Sequence, residues 1–281
     1  MPELPEAETI VRGLRPAIVG ETIVRAEVLK PDILREPKRH FWPKVRGRAI
    51  EGVERRAKNI VIRLDGATVI AVNLGMTGRL LPFPSPPRGR RRPTHPAVRF
   101  RFESGGILVF DDVRRFGTVE CLTADEWQGR SQAMGPEPLA PDFTADALLE
   151  GLQRSRSPIR SWLLDQRRIA GVGNIYAAEA LFLAGIHPER PARSVSRNEA
   201  RALHGAIRRV LSEAIRAGGT TIRDYRTATG EAGGFAPSLY VYGRDGAPCR
   251  NCGGEIRRIV FSNRSAFFCP TCQPEAGGTG G

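Results

Sequence analysis

The feature that most restricts the fold of this chain is a change of hydrophobic period part-way along it. From about residue 21 to 123, apolar and polar residues alternate as in half-buried strands. "VIRLDGATVIAV" contains two such runs around Asp65 and Gly66, a hairpin signal. "AVRFRFESGGILVF" repeats the pattern, with Val98, Phe100 and Phe102 on one face and Arg99 and Arg101 on the other. Helical spacing takes over near 144–154, 158–167, 174–184 and 197–217, the last with Ala200, Leu203, Ile207, Val210 and Ala214 in one stripe. A single earlier helix is expected over 3–19, from Ala7, Ile10, Leu14 and Ile18, with Gly20 as its stop. Strands followed by helices predict an α+β chain: an antiparallel sandwich or barrel with one helix attached, then a helical region. "MGPEPLAPDF" reads as the linker between them, and "PFPSPPRGRRRPTHP" as a mobile basic loop. No internal repeat is found.

The four cysteines of "CRNC" and "CPTC" constrain the carboxyl end. Cys249, Cys252, Cys269 and Cys272 form two C-x-x-C pairs sixteen residues apart, the spacing of a zinc ribbon. Four thiolates close a tetrahedral shell, so the zinc is structural. A redox dithiol would need only one pair. "RRIVFSNRSAFF" between the pairs reads as a β-hairpin with Asn263 and Arg264 at its tip, suited to phosphate contact or simply solvated. The fifth cysteine, Cys121, is expected to be a small buried hydrophobe. An odd count argues against a disulfide framework and for a reducing compartment.

The 281 residues suggest about two domains. No apolar run is long enough for a membrane span, and the amino terminus lacks a secretory layout, so an intracellular protein is expected. The chain carries 43 Lys and Arg against 30 acids, a net charge of +13. That excess favours a polyanionic partner, nucleic acid first, although arginine-rich composition also follows from a GC-rich genome.

Several short stretches carry chemistry. "MPELPEAETI" places Pro2 ahead of Glu3, Glu6 and Glu8, which by itself is an ordinary helix start. In "RRIAGVGNIYAAEAL", Gly171 and Gly173 permit a sharp turn and Asn174 is placed to cap a helix from Ile175, an anion site or a plain helix corner. Lys58 follows Arg55 and Arg56 at a strand edge. Met76 lies between glycines on a presumed hairpin loop, and Arg114 and Phe116 follow a strand end. Such residues serve as a wedge into DNA or are buried between domains.

Together "MPELPE", "RRAKN", "LGMTG", "RRFG", "GPEPL", "GVGNIYAAEALF", "GGTT", "YVYGR" and the cysteine ribbon resemble the formamidopyrimidine-DNA glycosylase family, in order and over nearly the whole chain. The resemblance implies a fold with an amino-terminal helix and antiparallel β-sandwich (1–134), a linker (135–142), a helical domain with a helix–two-turn–helix (143–238), a β-hairpin zinc ribbon (239–273) and a disordered tail (274–281). It implies a bifunctional glycosylase and lyase of base-excision repair that acts on oxidised purines in double-stranded DNA. One structural zinc, no organic cofactor, a monomer and a cytoplasmic location are expected.

In that reading Met1 is removed and the Pro2 nitrogen attacks C1′ of the damaged nucleotide. A terminal amine with a pKa near 8 is far more often neutral at pH 7 than a lysine. Glu3 shuttles protons, Lys58 donates in β-elimination and Arg264 serves δ-elimination. Met76, Arg114 and Phe116 fill the gap left by the flipped base. His95, Arg156 and Asn174 contact DNA, and backbone amides near Thr220–Tyr225 read the purine O6. The chain departs from the family in Asn73, where histidine is frequent, in Arg160, where lysine is, and around His95, where "THPAV" lacks an aspartate and a second histidine. Rival readings are an endonuclease VIII-like glycosylase for oxidised pyrimidines and a non-catalytic binder of distorted duplex.

Overall fold

Helix α1 (Leu4–Ile18) begins the chain and shows why the amino terminus is acidic. Glu3 is its N-cap in extended conformation, and Glu3 and Glu6 close a reciprocal capping box. Ala7, Ile10, Val11, Leu14 and Ile18 form its buried stripe, and Gly20 ends it at φ 89°. The computed structural model describes residues 2–87, 89, 92–221, 225–261 and 264–275. Its contacts divide the chain into two units, Met1–Ala133 with Ile215–Ala236, and Met134–Ala214 with Pro237–Gly281.

The first unit is a β-sandwich. Its strands are β1 (Ile23–Val28), β2 (Ile50–Arg56), β3 (Asn59–Leu64), β4 (Thr68–Asn73), β5 (Arg79–Phe83), β6 (Pro96–Phe102), β7 (Ile107–Asp111) and β8 (Thr118–Thr123). They form two four-stranded antiparallel sheets, ordered β1-β6-β7-β5 and β2-β3-β4-β8. The expected alternation holds: Val98, Phe100 and Phe102 are buried, while Arg99 and Arg101 are partly exposed. One core gathers the inner faces of both sheets with α1, and includes Cys121. Burial pushes the Cys121 thiol up to about 12, so it acts as an inert apolar group. Tyr225 and Ala228 join the same core.

Three expectations for this unit need correction. The stretch around Met76 is not a hairpin loop, because β4 and β5 belong to different sheets and the loop crosses between them. Pro82 and Phe83 of the presumed loop lie in β5, and Pro96 begins β6. Two further helices are present, one between β1 and β2 and one directly after β8. α2 (Lys38–Val45) buries only Phe41 and Val45 and contains Pro43, which masks its period. α3 (Ala124–Gln132) buries nothing, and a Thr123–Glu126 capping box defines its start.

The second unit contains α4 (Ala145–Gln153), α5 (Ile159–Leu164), α6 (Asn174–Leu183) and α7 (Arg197–Arg216), close to the periodic segments. A hairpin of β9 (Arg257–Phe261) and β10 (Arg264–Phe268) follows. Its satellite core joins Ala178 and Phe182 of α6 to Val241, Ile256 and Phe267. Gln273 accepts from the Cys269 N–H at 3.0 Å and donates to the Ile186 carbonyl at 2.8 Å, tying the cysteine module to the end of α6.

Candidate active site

The amino-terminal unit carries one group of candidate residues, beginning at the first turn of α1. Pro2, Glu3 and Glu6 are all buried. Glu6 Oε2 accepts the Glu3 N–H at 2.8 Å, and its Oε1 accepts the Thr220 N–H at 2.7 Å. The glycine-rich stretch is thereby fastened to the helix that presents Pro2. Gly219, at φ 85°, leaves no space for a side chain: a Cβ there would lie 3.0 Å from Glu6 Oε1 and 3.0 Å from Tyr225. The Thr220 amide, at the start of the stretch expected to read the base, makes this bond. Ile222, Arg223 and Asp224 lie outside the described residues. Glu8 anchors the opposite face. Burial pushes its carboxyl up, but Arg12 at 2.9 Å and Arg55 at 3.1 Å overcome this and hold it below the ordinary range.

Lys58 stands on the two-residue turn between β2 and β3, partly exposed. Ala57, at φ 54°, makes that tight turn, and its carbonyl accepts from Arg55 Nη1 at 3.1 Å. Arg56 donates through Nε and Nη2 to Ser131, each bond 3.0 Å long. Two arginines at the end of β2, just ahead of the lysine, therefore pin the hairpin.

Met76 and Phe116 are exposed, 38% and 56%, and Arg114 stacks over the Phe116 ring at 4.6 Å. Their two loops interlock. Buried Asp112 accepts from Thr77 Oγ1 at 2.5 Å and from the Gly117 N–H at 2.9 Å, and Thr77 Oγ1 accepts the Arg114 N–H at 3.0 Å. Gly75, at φ 58°, approaches the Phe116 backbone so closely that a Cβ would meet its carbonyl carbon at 2.4 Å. Exposed His95 is joined to the same strand end, its N–H donating to Asp111 at 2.6 Å and its carbonyl accepting from Asp112 at 3.0 Å.

The carboxy-terminal unit supplies a second group of residues. Asn174 is the first residue of α6, with Gly173 as N-cap, so the expected capping role is wrong. Its side chain instead donates to the Ser265 carbonyl of β10 at 3.0 Å, because Arg160 occupies its oxygen at 2.7 Å. Arg160 is only 2% exposed and also donates to Ser265 O at 3.0 Å. Burial, and then the charge of Arg264, lower its pKa. Arg264 opens β10 and is exposed, as is Arg156 between α4 and α5. Ser262 and Asn263, the expected hairpin tip, lie outside the described residues. Of the two turn glycines, only Gly171 (φ 81°) requires the left-handed region.

Cys249, Cys252, Cys269 and Cys272 converge with their sulfurs within 4.8 Å of one another. The Cys249–Cys272 and Cys252–Cys269 separations are 3.9 and 3.5 Å. Tetrahedral zinc with bonds of about 2.3 Å requires sulfurs about 3.8 Å apart. The residues fit one structural zinc.

Comparison with known proteins decides the family. Residues 1–119 match the formamidopyrimidine-DNA glycosylase N-terminal domain, 134–226 the H2TH domain of that enzyme, and 246–274 a zinc finger found in FPG and IleRS. Curated formamidopyrimidine-DNA glycosylases of Ruegeria pomeroyi and Chloroflexus aggregans are 43% and 44% identical over 97% of this chain, covering 100% and 98% of those proteins. The chain belongs to the formamidopyrimidine-DNA glycosylase family. Among solved structures, a Lactococcus lactis Fpg complex with abasic-site DNA superposes with TM-score 0.90 at 33% identity, covering 97% of this chain and 100% of that one. Thermus thermophilus MutM gives 0.87 at 40% identity, covering 98% and 100%.

Three buried carboxylates to which sequence reading gave no role of their own order backbone segments within their own units. Glu6 was legible as the partner of Glu3 at i+3, the capping-box spacing. Asp112 was legible only as the second acid of "DDVRRFG". Glu179, fully buried in α6, accepts the N–H groups of Tyr240, Val241 and Tyr242 at 2.7, 3.0 and 2.8 Å. Only a carboxylate with two oxygens satisfies three donors of "YVYGR" at once. Among the described residues no helix is long and apolar enough to cross a membrane.

Proposed function

We propose that the chain removes oxidised purines from duplex DNA and cuts the strand by β,δ-elimination through a Schiff base on Pro2. Family membership makes it a base-excision repair DNA glycosylase with one structural zinc; the residue roles are our reading. The observation that carries it is the buried pair Glu3 and Glu6 closed around the start of α1. Removal of Met1 frees the Pro2 nitrogen beside these carboxylates. The neutral amine forms a bond to C1′, the C1′–base bond breaks, and the departing base takes a proton. Opening of the sugar ring, with Glu3 moving the proton, leaves an iminium ion whose positive nitrogen draws electrons from C2′. Lys58 acts as proton donor in β-elimination, in which C2′ gives up a proton and the 3′ phosphate leaves. Arg264 assists loss of the 5′ phosphate.

Met76, Arg114 and Phe116, presented together on loops pinned by Asp112, fill the gap left in the duplex. His95 and Arg156 contact DNA, and Asn174 binds backbone phosphate. The DNA complexes of the Lactococcus lactis relatives support this partner. We assign the catalytic sandwich to 1–134, the linker to 135–142, the helical domain to 143–238, the ribbon to 239–273 and the tail to 274–281. A cytoplasmic monomer is part of the same reading.

Borohydride reduction in the presence of duplexes carrying 8-oxoguanine or thymine glycol tests it. A covalent product mapped to Pro2 by mass spectrometry, formed faster with 8-oxoguanine, is expected. An adduct on a lysine would overturn the nucleophile, and preference for thymine glycol would overturn the substrate. A blocking tag on the Pro2 nitrogen should lower cleavage by about three orders of magnitude or more while DNA affinity persists.

A further inference from the structure

The Lys58 turn and the Met76 loop are joined by a one-way chain of side-chain amides. Asn59, which closes the turn opposite Arg56, donates through Nδ2 to the Arg56 carbonyl at 3.3 Å. Asn73, directly across from Asn59 at the end of β4, donates through Nδ2 to Asn59 Oδ1 at 3.0 Å. Asn73 Oδ1 in turn accepts the Gly75 N–H at 3.0 Å. Gly75 immediately precedes Met76 and is wedged against the Phe116 backbone.

Both ends of this chain have fixed polarity. A carbonyl only accepts and an amide N–H only donates, so each asparagine has one orientation that satisfies its neighbours. Hydrogen bonds aligned head to tail also polarise one another. A half-exposed cross-strand amide pair adds little to a sandwich whose core lies elsewhere. It does, however, link the Lys58 turn to the start of the Met76 loop.

We propose that Asn59 and Asn73 are positioning residues that couple placement of the Lys58 ammonium to seating of Met76 in the duplex. This rests on the roles assigned above to Lys58 and Met76. Coupling them means that the proton-transfer group is in place when the gap is filled, and both fall out of register when the chain is broken.

Asn73→Asp breaks it without changing shape. One carboxylate oxygen still accepts from Gly75, but the other faces Asn59 Oδ1, and two acceptors repel. If Asn59 turns its amide to donate, its oxygen then faces the Arg56 carbonyl. A protonated carboxyl can donate, and repulsion between the acceptors raises its pKa, so acid repairs the chain. Two single-turnover signals are measured from pH 8 to 5 as ratios to the unsubstituted enzyme. One is β-elimination at an abasic site, for Lys58; the other is 2-aminopurine fluorescence beside the lesion, for Met76.

Both ratios should fall about fivefold at pH 8, the value of one net hydrogen bond, and recover toward one at pH 5. Asn59→Asp, on the other strand, should lower both signals too, which keeps the test open if the first variant folds poorly. Loss of only one signal, of neither, or of both without recovery in acid overturns the coupling. Lys58→Ala and Met76→Ala run alongside. If these leave their own signals unchanged, the site assignment fails, which is a different result from failure of the relay.

Discussion

The amino-terminal sandwich and the carboxy-terminal ribbon both present cations and polar groups suited to DNA, yet they are held rigid by different means. In the sandwich an apolar core spans both sheets and α1, and buried Glu6 and Asp112 then tie loops to that core through backbone N–H groups. The ribbon has only a satellite core, too small to order a hairpin of this length, and four thiolates on zinc replace the missing apolar area. A carboxylate that accepts several N–H bonds can order a loop only where burial already surrounds it. A metal supplies order where burial is scarce.

The comparison breaks most sharply at the metal. Cys249→Ala should abolish stoichiometric zinc and melt the ribbon, since structural zinc contributes roughly 10 kcal/mol or more to small modules of this kind. Sandwich amides should stay protected from hydrogen exchange while those of 257–268 exchange freely. Unchanged zinc content by elemental analysis would refute the four-cysteine assignment. The corresponding experiment in the sandwich is Asp112→Ala. It leaves the Gly117 N–H and Thr77 hydroxyl without their acceptor, at a cost of about 2–3 kcal/mol in stability. It should slow gap filling more than abasic-site affinity. Equal losses in denaturant titration and both DNA measurements would mean that Asp112 serves the fold alone.

The smallest effect belongs to the helical part of the second unit. Glu199 accepts from Arg190 Nη2 at 2.9 Å and from the Ser196 N–H at 2.8 Å, and these partners, chiefly Arg190, lower its pKa to about 2. Its unfolded value is near 4.5. The stability it contributes is therefore complete above pH 4.5 and is lost as pH falls toward 2. With the carboxyl about one-third exposed, about 1 kcal/mol is expected after solvent screening. Melting curves of Glu199→Gln should fall below those of the unsubstituted protein at pH 6 and approach them near pH 2.5. A constant gap across that range would assign the difference to packing.

The metal cluster was readable before any coordinates. The cysteine spacing specified the zinc cluster, because two short turns each present two thiolates and the hairpin between them brings the pairs together. Met76, Arg114 and Phe116 stood out as unusual residue types in short contexts, whereas Pro2 and Lys58 were ordinary in theirs and took their expected roles from the family resemblance. Asn174 shows where such reading fails. Its place before a helical run suggested a cap, but Arg160, fourteen residues away, and Ser265, ninety-one away, claim both ends of its amide. α3 was missed because none of its residues is buried and a solvated helix leaves no period.

The sequence by itself determined the change from strands to helices, the metal ligands and the amino acids available for chemistry, since these depend on local period, turn chemistry and side-chain type. Only the tertiary structure decided that β4 and β5 part into different sheets, that Glu6 holds Thr220, and that Asn59 meets Asn73. Each depends on which distant residue supplies a hydrogen-bond partner, and a polar group has no partner until the apolar core has brought the two segments together.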